Sequence, residues 1–255
     1  MAKHRSKKLL AFGDVHIPAH SPRAVEVFCR AAEKIRPDII VCLGDLLDCS
    51  QFSTHPPTWG VRTTDYEDDV ATAKALLARL RATTQRLVIL EGNHEYRIER
   101  WAAATQVGRS AYSMLSPRKA LTHRTDYQWI PYGSATGRYP HYRVNRRLVA
   151  VHGWSYAKAA GRIHLLAAQG KSIIYGHTHR AESVTVQDIW SRNGIIEARN
   201  GGCLCRRVPL YGVGNPVEWT HGFVLGFLGR RSDTLYSIPI MGNRCILPDG
   251  TEIAG

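Results

Sequence analysis

The sequence predicts an α/β fold with a largely parallel sheet core. From residue 9 to residue 176, short apolar runs of strand length alternate with longer amphipathic stretches. Each apolar run ends at a glycine, or at a His-Gly pair, with polar side chains beside it. In such a sheet the loops after the carboxyl ends of the strands gather on one edge, which is where ligands bind. Five polar clusters occupy those ends, so they are expected to meet on one rim.

Composition sets the limits. The 255 residues allow one large domain or two small ones, and a hydrophobic share of 44% can build a real core. No stretch approaches the length of a membrane-spanning helix. Residues 1–8 are basic, but the apolar run after them is short and ends at Gly13-Asp14, so no secretory signal is expected. Six cysteines (Cys29, Cys42, Cys49, Cys203, Cys205 and Cys245) show no zinc-ribbon spacing, and Cys203-x-Cys205 is the only close pair. Free thiols in a reducing cytosol are expected rather than disulfides. The net charge of +13 favours polyanionic partners or anionic substrates.

Residues 7–13 read as a buried first strand running into Asp14-Val15-His16. Asp and His two residues apart, just past a strand, can converge on one ion from the same side. Alone, the pair would be a turn. Residues 22–35 form a helix with Val25, Phe28, Cys29 and Ala32 on one face. Pro22 suits its first position and Ser21 its cap. Residues 39–43 are the second strand, followed by Gly44-Asp45-Leu46-Leu47-Asp48. Asp45 has two carboxylate oxygens and could bridge two cations, whereas Asp48 reads equally well as a helix cap.

Residues 51–62 are loop-like. Residues 65–82 form an amphipathic helix that opens acidic and closes basic, which suits the helix dipole. Its acidic cluster, Asp65, Glu67, Asp68 and Asp69, is therefore read as structural. Residues 86–91 are the third strand and lead to Gly92-Asn93-His94-Glu95, with a helix carrying Arg97 and Trp101 beyond. Residues 102–145 are the least patterned part, with several prolines and many basic and aromatic side chains. They read as surface helices and loops inserted over the site. Residues 148–151 are a fourth strand ending in His152-Gly153, and residues 157–169 a helix closed by Gly170. The last apolar run, 173–175, meets Gly176-His177-Thr178-His179, where Gly176 is expected to let the backbone turn. His177 and His179 would point the same way and can bind a metal, although an isolated His-x-His is more often a plain polar loop. Beyond it, residues 181–190, 194–198, 222–228 and 234–240 read as short strands of a second, more antiparallel sheet. With no repeat and no low-complexity linker, one domain over 1–255 is expected.

In order, Asp-x-His, Gly-Asp-x-x-Asp, Gly-Asn-His-Glu, His-Gly and Gly-His-Thr-His resemble the calcineurin-like metallophosphoesterase family across residues 9–180. The run 92–97, the loop 51–57, and Gly201-Gly202-Cys203-Leu204 with Trp219-x-His221-Gly222-Phe223 resemble its small phage-type members, which implies a cytoplasmic setting in a bacterial or phage-infected cell. The resemblance implies a four-layer αββα sandwich with a dinuclear metal site at the carboxyl ends of the strands. By motif, Asp14, His16, Asp45 and His179 would hold one metal. Asp45, Asn93, His152 and His177 would hold the other, with Asp45 bridging. His94 would be the acid near the leaving group, oriented by Asp48. One departure stands out: many relatives carry Arg after that second Asp, and here it is Cys49. Arg97 or a basic residue of the insert would have to replace that phosphate clamp.

Carboxylate, amide and imidazole ligands together suit manganese first, with iron, zinc or nickel as alternatives, better than magnesium alone. Two such ions can clamp phosphate oxygens and activate water for in-line attack. The leading expectation is a phosphodiesterase or nuclease acting on DNA, RNA or nucleotides, because the chain is basic and the insert holds residue types that bind phosphates and stack bases. Arg118, Lys119 and Arg138 are its candidate substrate contacts, and no membrane contact is expected. A phosphomonoesterase is the alternative, since the motifs are shared with protein phosphatases. A non-catalytic nucleic-acid-binding protein on the same scaffold is the third reading, and the full ligand set argues against it.

Overall fold

A computed structural model describes residues 5–54, 64–122, 127–132, 139–189, 194–207 and 218–255. β1 (Lys7–Phe12) opens on an exposed lysine and closes on four buried residues. It runs parallel to β2 (Ile39–Cys42), which runs parallel to β3 (Arg86–Leu90), with Leu9 opposite Ile39 and Ile39 opposite Arg86. α1 (Pro22–Ile35) starts as the sequence expects: Ala24 donates its N–H to the Ser21 hydroxyl at 3.3 Å, and Pro22 opens the first turn. α2 (Tyr66–Arg81) has Glu67, Asp68 and Asp69 in its first turn and Arg79 and Arg81 in its last. Asp69 is buried and accepts from Gln51 and Thr64, a structural use of that acidic cluster.

Then come α3 (Tyr96–Ala104), α4 (Arg109–Leu115), α5 (Pro117–Leu121), β4 (Tyr127–Ile130), β5 (Tyr142–Arg143), β6 (Leu148–Ala150), α6 (Ala160–Ala167) and β7 (Ser172–Ile174). The chain closes with β8 (Ala181–Gln187), β9 (Ile195–Gly201), β10 (Gly222–Leu228), β11 (Asp233–Pro239) and a small hairpin of β12 (Arg244–Ile246) and β13 (Glu252–Ala254). Two sheets result. One has the order β11-β10-β1-β2-β3-β4, and the other β5-β6-β7-β9-β8.

Side-chain alternation separates four layers. In β1, Leu10 and Phe12 pack with Val27 and Phe28 of α1 and Leu77 of α2. Leu9 and Ala11 point the other way and meet Ala150 and Ile174 of the second sheet. On the far face of that sheet Ile173 and Tyr175 pack with Leu165 of α6. The fold is therefore helices, sheet, sheet, helix. Each fully buried Leu, Ile or Phe in these layers contributes about 1.5–3 kcal/mol. Among the described residues, no helix is long and apolar enough to cross a membrane.

Two sequence expectations are corrected here. The parallel strands do not share one sheet, because β6 and β7 pair with each other and not with β1–β3. Nor do the late strands make a sheet of their own. β8 and β9 extend β7, whereas β10 runs antiparallel beside β1 and β11 antiparallel beside β10. The physical reason is that a strand buried on both faces carries no mark of its neighbour. The segment 102–145 also holds strands: β4 continues the first sheet beside β3, and β5 edges the second.

Candidate metal centre

Strand ends build the site through unusual backbone. Asp14, His16, Asp45, His177 and His179 have φ of 52°, 52°, 50°, 71° and 58°. Left-handed backbone costs a non-glycine residue roughly 1–2 kcal/mol, so something must hold it. The two strand ends hold each other: Asp14 donates its N–H to Gly44 O at 3.0 Å and His16 to Asp45 O at 2.9 Å. Leu204 and Cys205 in turn donate theirs to Asp14 O. The glycines make room. A Cβ on Gly92 would lie 2.1 Å from Asp45 Oδ1, and one on Gly176 would lie 2.7 Å from Asp14 Oδ2. The backbone does turn there, with Thr178 donating its N–H to Gly176 O at 2.8 Å, but the φ of Gly176 is not positive, so it is close approach that requires the glycine.

Among the described residues four groups of donor atoms each lie within 4.8 Å mutually. His16, Asp48 and His94, and His179, Cys203 and Cys205, flank the two that share a carboxylate: Asp14, His16, Asp45 and His179, and Asp45, His152 and His177. Asp45 belongs to both. Its Oδ2 is 3.7 Å from His16 Nε2 and 3.4 Å from His152 Nε2. Asn93 Oδ1 joins the second group, 2.8 Å from His152 Nε2. His16 donates Nδ1–H to Asp48 Oδ1 at 3.0 Å, which leaves its Nε2 lone pair facing His179 Nε2 at 3.1 Å. His152 donates Nδ1–H to Leu43 O at 3.0 Å, and its Nε2 faces His177 Nδ1 at 3.1 Å. Nitrogen lone pairs this close repel unless a proton or cation stands between them. The residues therefore fit divalent ions, and the donors are of the right chemical kind.

Electrostatics agree. Burial pushes the Asp14 carboxyl up, but the His179 imidazole outweighs it and leaves the group below its ordinary value. Asp45 is likewise raised by burial and then held well down by His152 and His94. Burial would lower His152, yet the Asp45 carboxylate lifts it to about 9. Burial and the neighbouring His152 push His177 down to about 4. Anionic oxygens and imidazole nitrogens are thus interleaved in one buried cluster.

A further layer surrounds this cluster. Asp48 Oδ1 lies 3.0 Å from Nδ1 of both His16 and His94. Burial opposes charge on Asp48, but those two imidazoles hold its carboxyl far below the usual range. Arg97 donates one N–H to Asp48 O at 2.9 Å and another to His94 Nε2 at 3.0 Å. Glu95, 2% exposed, accepts from the backbone N–H of Asp45, Leu47 and Gly92 at 3.1, 2.8 and 2.9 Å. On the other side Cys205 Sγ lies 3.9 Å from His179 Nδ1, and Thr220 donates its N–H to His179 O at 2.9 Å.

Comparison with known proteins decides the family. The profile of calcineurin-like phosphoesterases matches residues 7–165, well over half of the chain. The chain belongs to the calcineurin-like phosphoesterase family. It is a metallophosphoesterase, a hydrolase of phosphate ester bonds, and its family binds two divalent metals. Vps29 of Chaetomium thermophilum superposes with a TM-score of 0.50 at 17% identity, over 97% of this chain and 90% of that one. Vacuolar protein sorting 29 of Cryptosporidium parvum gives 0.53 at 13% identity, over 99% and 100%. At these identities the likeness is one of fold. YfcE, a phosphoesterase of E. coli, gives 0.41 at 17% identity over 90% and 98%. No curated protein matches the sequence.

In this phosphoesterase the seven residues singled out as ligands lie together, with Asp48 and His94 beside them. Cys49 is buried in the helix-side core, 1% exposed. Arg118 and Lys119 are exposed on α5, which packs against α2 through Leu121. The Lys119 ammonium donates to Ser113. Arg138 lies outside the described residues. Aromatic rings of the insert pack on their own surroundings: Tyr132 meets Tyr96 at 5.1 Å, and Tyr139 meets Trp154 at 4.7 Å. The sequence reading left Glu95 and Cys205 without roles. Glu95 could have been found from its place in Gly-Asn-His-Glu, and Cys205 from its spacing to Cys203.

Proposed function

We propose that this phosphoesterase is a phosphodiesterase or nuclease acting on nucleic acid or nucleotides, with manganese as its preferred metal. The observation that carries the dinuclear reading is Asp45, whose carboxylate belongs to both donor groups. Asp14, His16, Asp45 and His179 would hold one ion, and Asp45, Asn93, His152 and His177 the other. Bound there, the ions supply positive charge to phosphate oxygens and acidify water.

The chain's own groups do the rest. Asp48 orients the His94 ring through Nδ1 at 3.0 Å. His94 Nε2 is the atom that hands a proton to the leaving oxygen. When Nε2 carries that proton it cannot accept from Arg97, so the guanidinium turns its free N–H groups toward the phosphate. In this way Arg97 takes the place of the clamp missing at Cys49. The charge of +13 supports a polyanionic substrate, with Arg118, Lys119 and Arg138 as its outer contacts. The whole chain works as one domain in a cytoplasm, with residues 102–145 as an insert covering the site.

The deciding experiment uses metal-depleted protein reconstituted with Mn²⁺. Hydrolysis of bis-p-nitrophenyl phosphate and of labelled DNA or RNA, exceeding that of p-nitrophenyl phosphate, is expected. Preference for the monoester would establish the phosphomonoesterase instead. Polyanion binding with no hydrolysis of any ester would make the protein a nucleic-acid binder.

A further inference from the structure

We propose that Tyr156 and Trp219 form a stacking subsite for a nucleobase, so that the substrate is a nucleoside phosphodiester. The proposal rests on the phosphodiesterase reading and adds to it what the ester carries. Tyr156 is 67% exposed, unusual for so large a ring in a loop beside a buried centre. Its ring centroid lies 3.9 Å from that of His177, at 41°. Trp219 stands on the neighbouring histidine, 4.2 Å from His179 at 72°. One aromatic ring therefore flanks each donor group, within reach of the organic arm of a phosphate bound between them.

The two loops are also fixed to each other. The Arg180 guanidinium donates to Ala157 O at 2.7 Å and to Glu218 Oε2 at 3.3 Å, which ties the segment of Tyr156 to that of Trp219. A subsite already ordered loses little freedom on binding. Two aromatic rings of the insert do not offer this, since Tyr139 donates its hydroxyl to Gly153 O at 2.5 Å and packs against Trp154, and Tyr132 packs against Tyr96. A base has a π-face whatever its identity, so this subsite recognises bases without reading sequence.

The test compares thymidine 5′-(p-nitrophenyl phosphate) with ethyl p-nitrophenyl phosphate on Mn²⁺-loaded protein. The leaving group is the same, and only one ester carries a base. The parent is expected to favour the nucleoside ester through a lower KM. Tyr156→Leu is expected to erase that preference by about 5- to 150-fold, the range of one base–aromatic stack. Tyr156→Phe is expected to keep it, and Trp219→Leu to lose it in part. No preference in the parent, or an unchanged preference in Tyr156→Leu, overturns the subsite. If neither ester is hydrolysed, the phosphodiesterase reading fails by itself. Calorimetric binding of dTMP against inorganic phosphate then decides the subsite: tighter dTMP binding lost in Tyr156→Leu supports it, and equal binding overturns it.

Discussion

The Glu95 carboxylate accepts the backbone N–H of Asp45 at 3.1 Å, reaching under the residue common to both donor groups. Asp45 has left-handed backbone, and Glu95 braces it from both sides through Leu47 and Gly92. Burial, and then the nearby Asp45 charge, push the Glu95 carboxyl up to about 7. Keeping an acid in so unfavourable a place makes sense only because three buried donors need it.

Glu95→Ala is therefore expected to destabilise the fold by about 3 kcal/mol or more, since each orphaned buried donor costs roughly 1–3 kcal/mol. Bound metal should fall with it, because Asp45 loses its brace. Urea denaturation with elemental analysis of the same samples checks both. Parent-like stability would mean that water or a shifted loop replaces the carboxylate.

His94→Ala is expected to retain metal and lose about 10²–10⁴-fold in turnover, the usual share of a general acid. The loss should be smaller for nitrophenolate esters, whose leaving group hardly needs a proton, than for a dinucleotide. Equal losses on both would remove His94 from that role.

The rim was legible in the sequence because its signals are local. Asp14 and His16, and His177 and His179, sit two residues apart just past a strand, and strand ends in an α/β fold converge. Glu95 and Cys205 stood out only by position, Glu95 in Gly-Asn-His-Glu and Cys205 two residues after Cys203. Their roles were not legible, because each acts on a distant partner: Glu95 on a loop 50 residues away in the chain, Cys205 on His179 26 residues back. The division into two sheets was hidden for another reason. β7 and β10 are apolar on both faces, and an apolar strand fits either sheet equally well until its neighbours are known.

Cys205 gives His179 an unusual partner. A metal on His179 Nε2 leaves Nδ1–H needing an acceptor, and Cys205 Sγ lies 3.9 Å from it. Cys205→Ala is expected to weaken metal affinity by about 10–100-fold, typical of a lost outer partner of a ligating histidine. Cys205→Ser should recover part of it. Competition against a metal-sensing dye measures this without turnover, and equal affinities in parent, Ala and Ser would leave the thiol a packing role only.

Glu26 links α1 to α2. Arg79 donates to it at 2.5 Å and Arg30 at 2.7 Å. The Arg79 and Arg30 hydrogen bonds hold its carboxyl down from 4.5 to about 2. A lowered folded value means that the stabilisation is complete above 4.5 and is lost as pH falls through about 2. Its side chain is 33% exposed, so solvent screening limits the effect to under about 1 kcal/mol. Glu26→Gln should thus be less stable than the parent at pH 7, with the gap closing between pH 4.5 and 2. Urea midpoints at pH 3, 4.5 and 7 test it; a gap that stays constant would mean that the glutamate charge is irrelevant.

Asp45→Asn tests the centre itself. The amide keeps the shape and one oxygen acceptor but removes the negative charge, and an amide nitrogen cannot ligate as a carboxylate oxygen does. His94 N–H donates to Asp45 Oδ1 at 2.9 Å while Oδ2 faces His16 and His152, so the substitution reaches both donor groups at once. The lost charge also removes what lifts His152 to about 9 and helps balance the cluster of imidazoles. Reconstituted parent is expected to carry two ions per chain, and Asp45→Asn to bind both more weakly, with occupancy falling together as a chelator is raised. A site that kept one ion at parental affinity while losing the other would show that Asp45 serves a single metal. A parent that never exceeds one ion per chain would end the dinuclear reading.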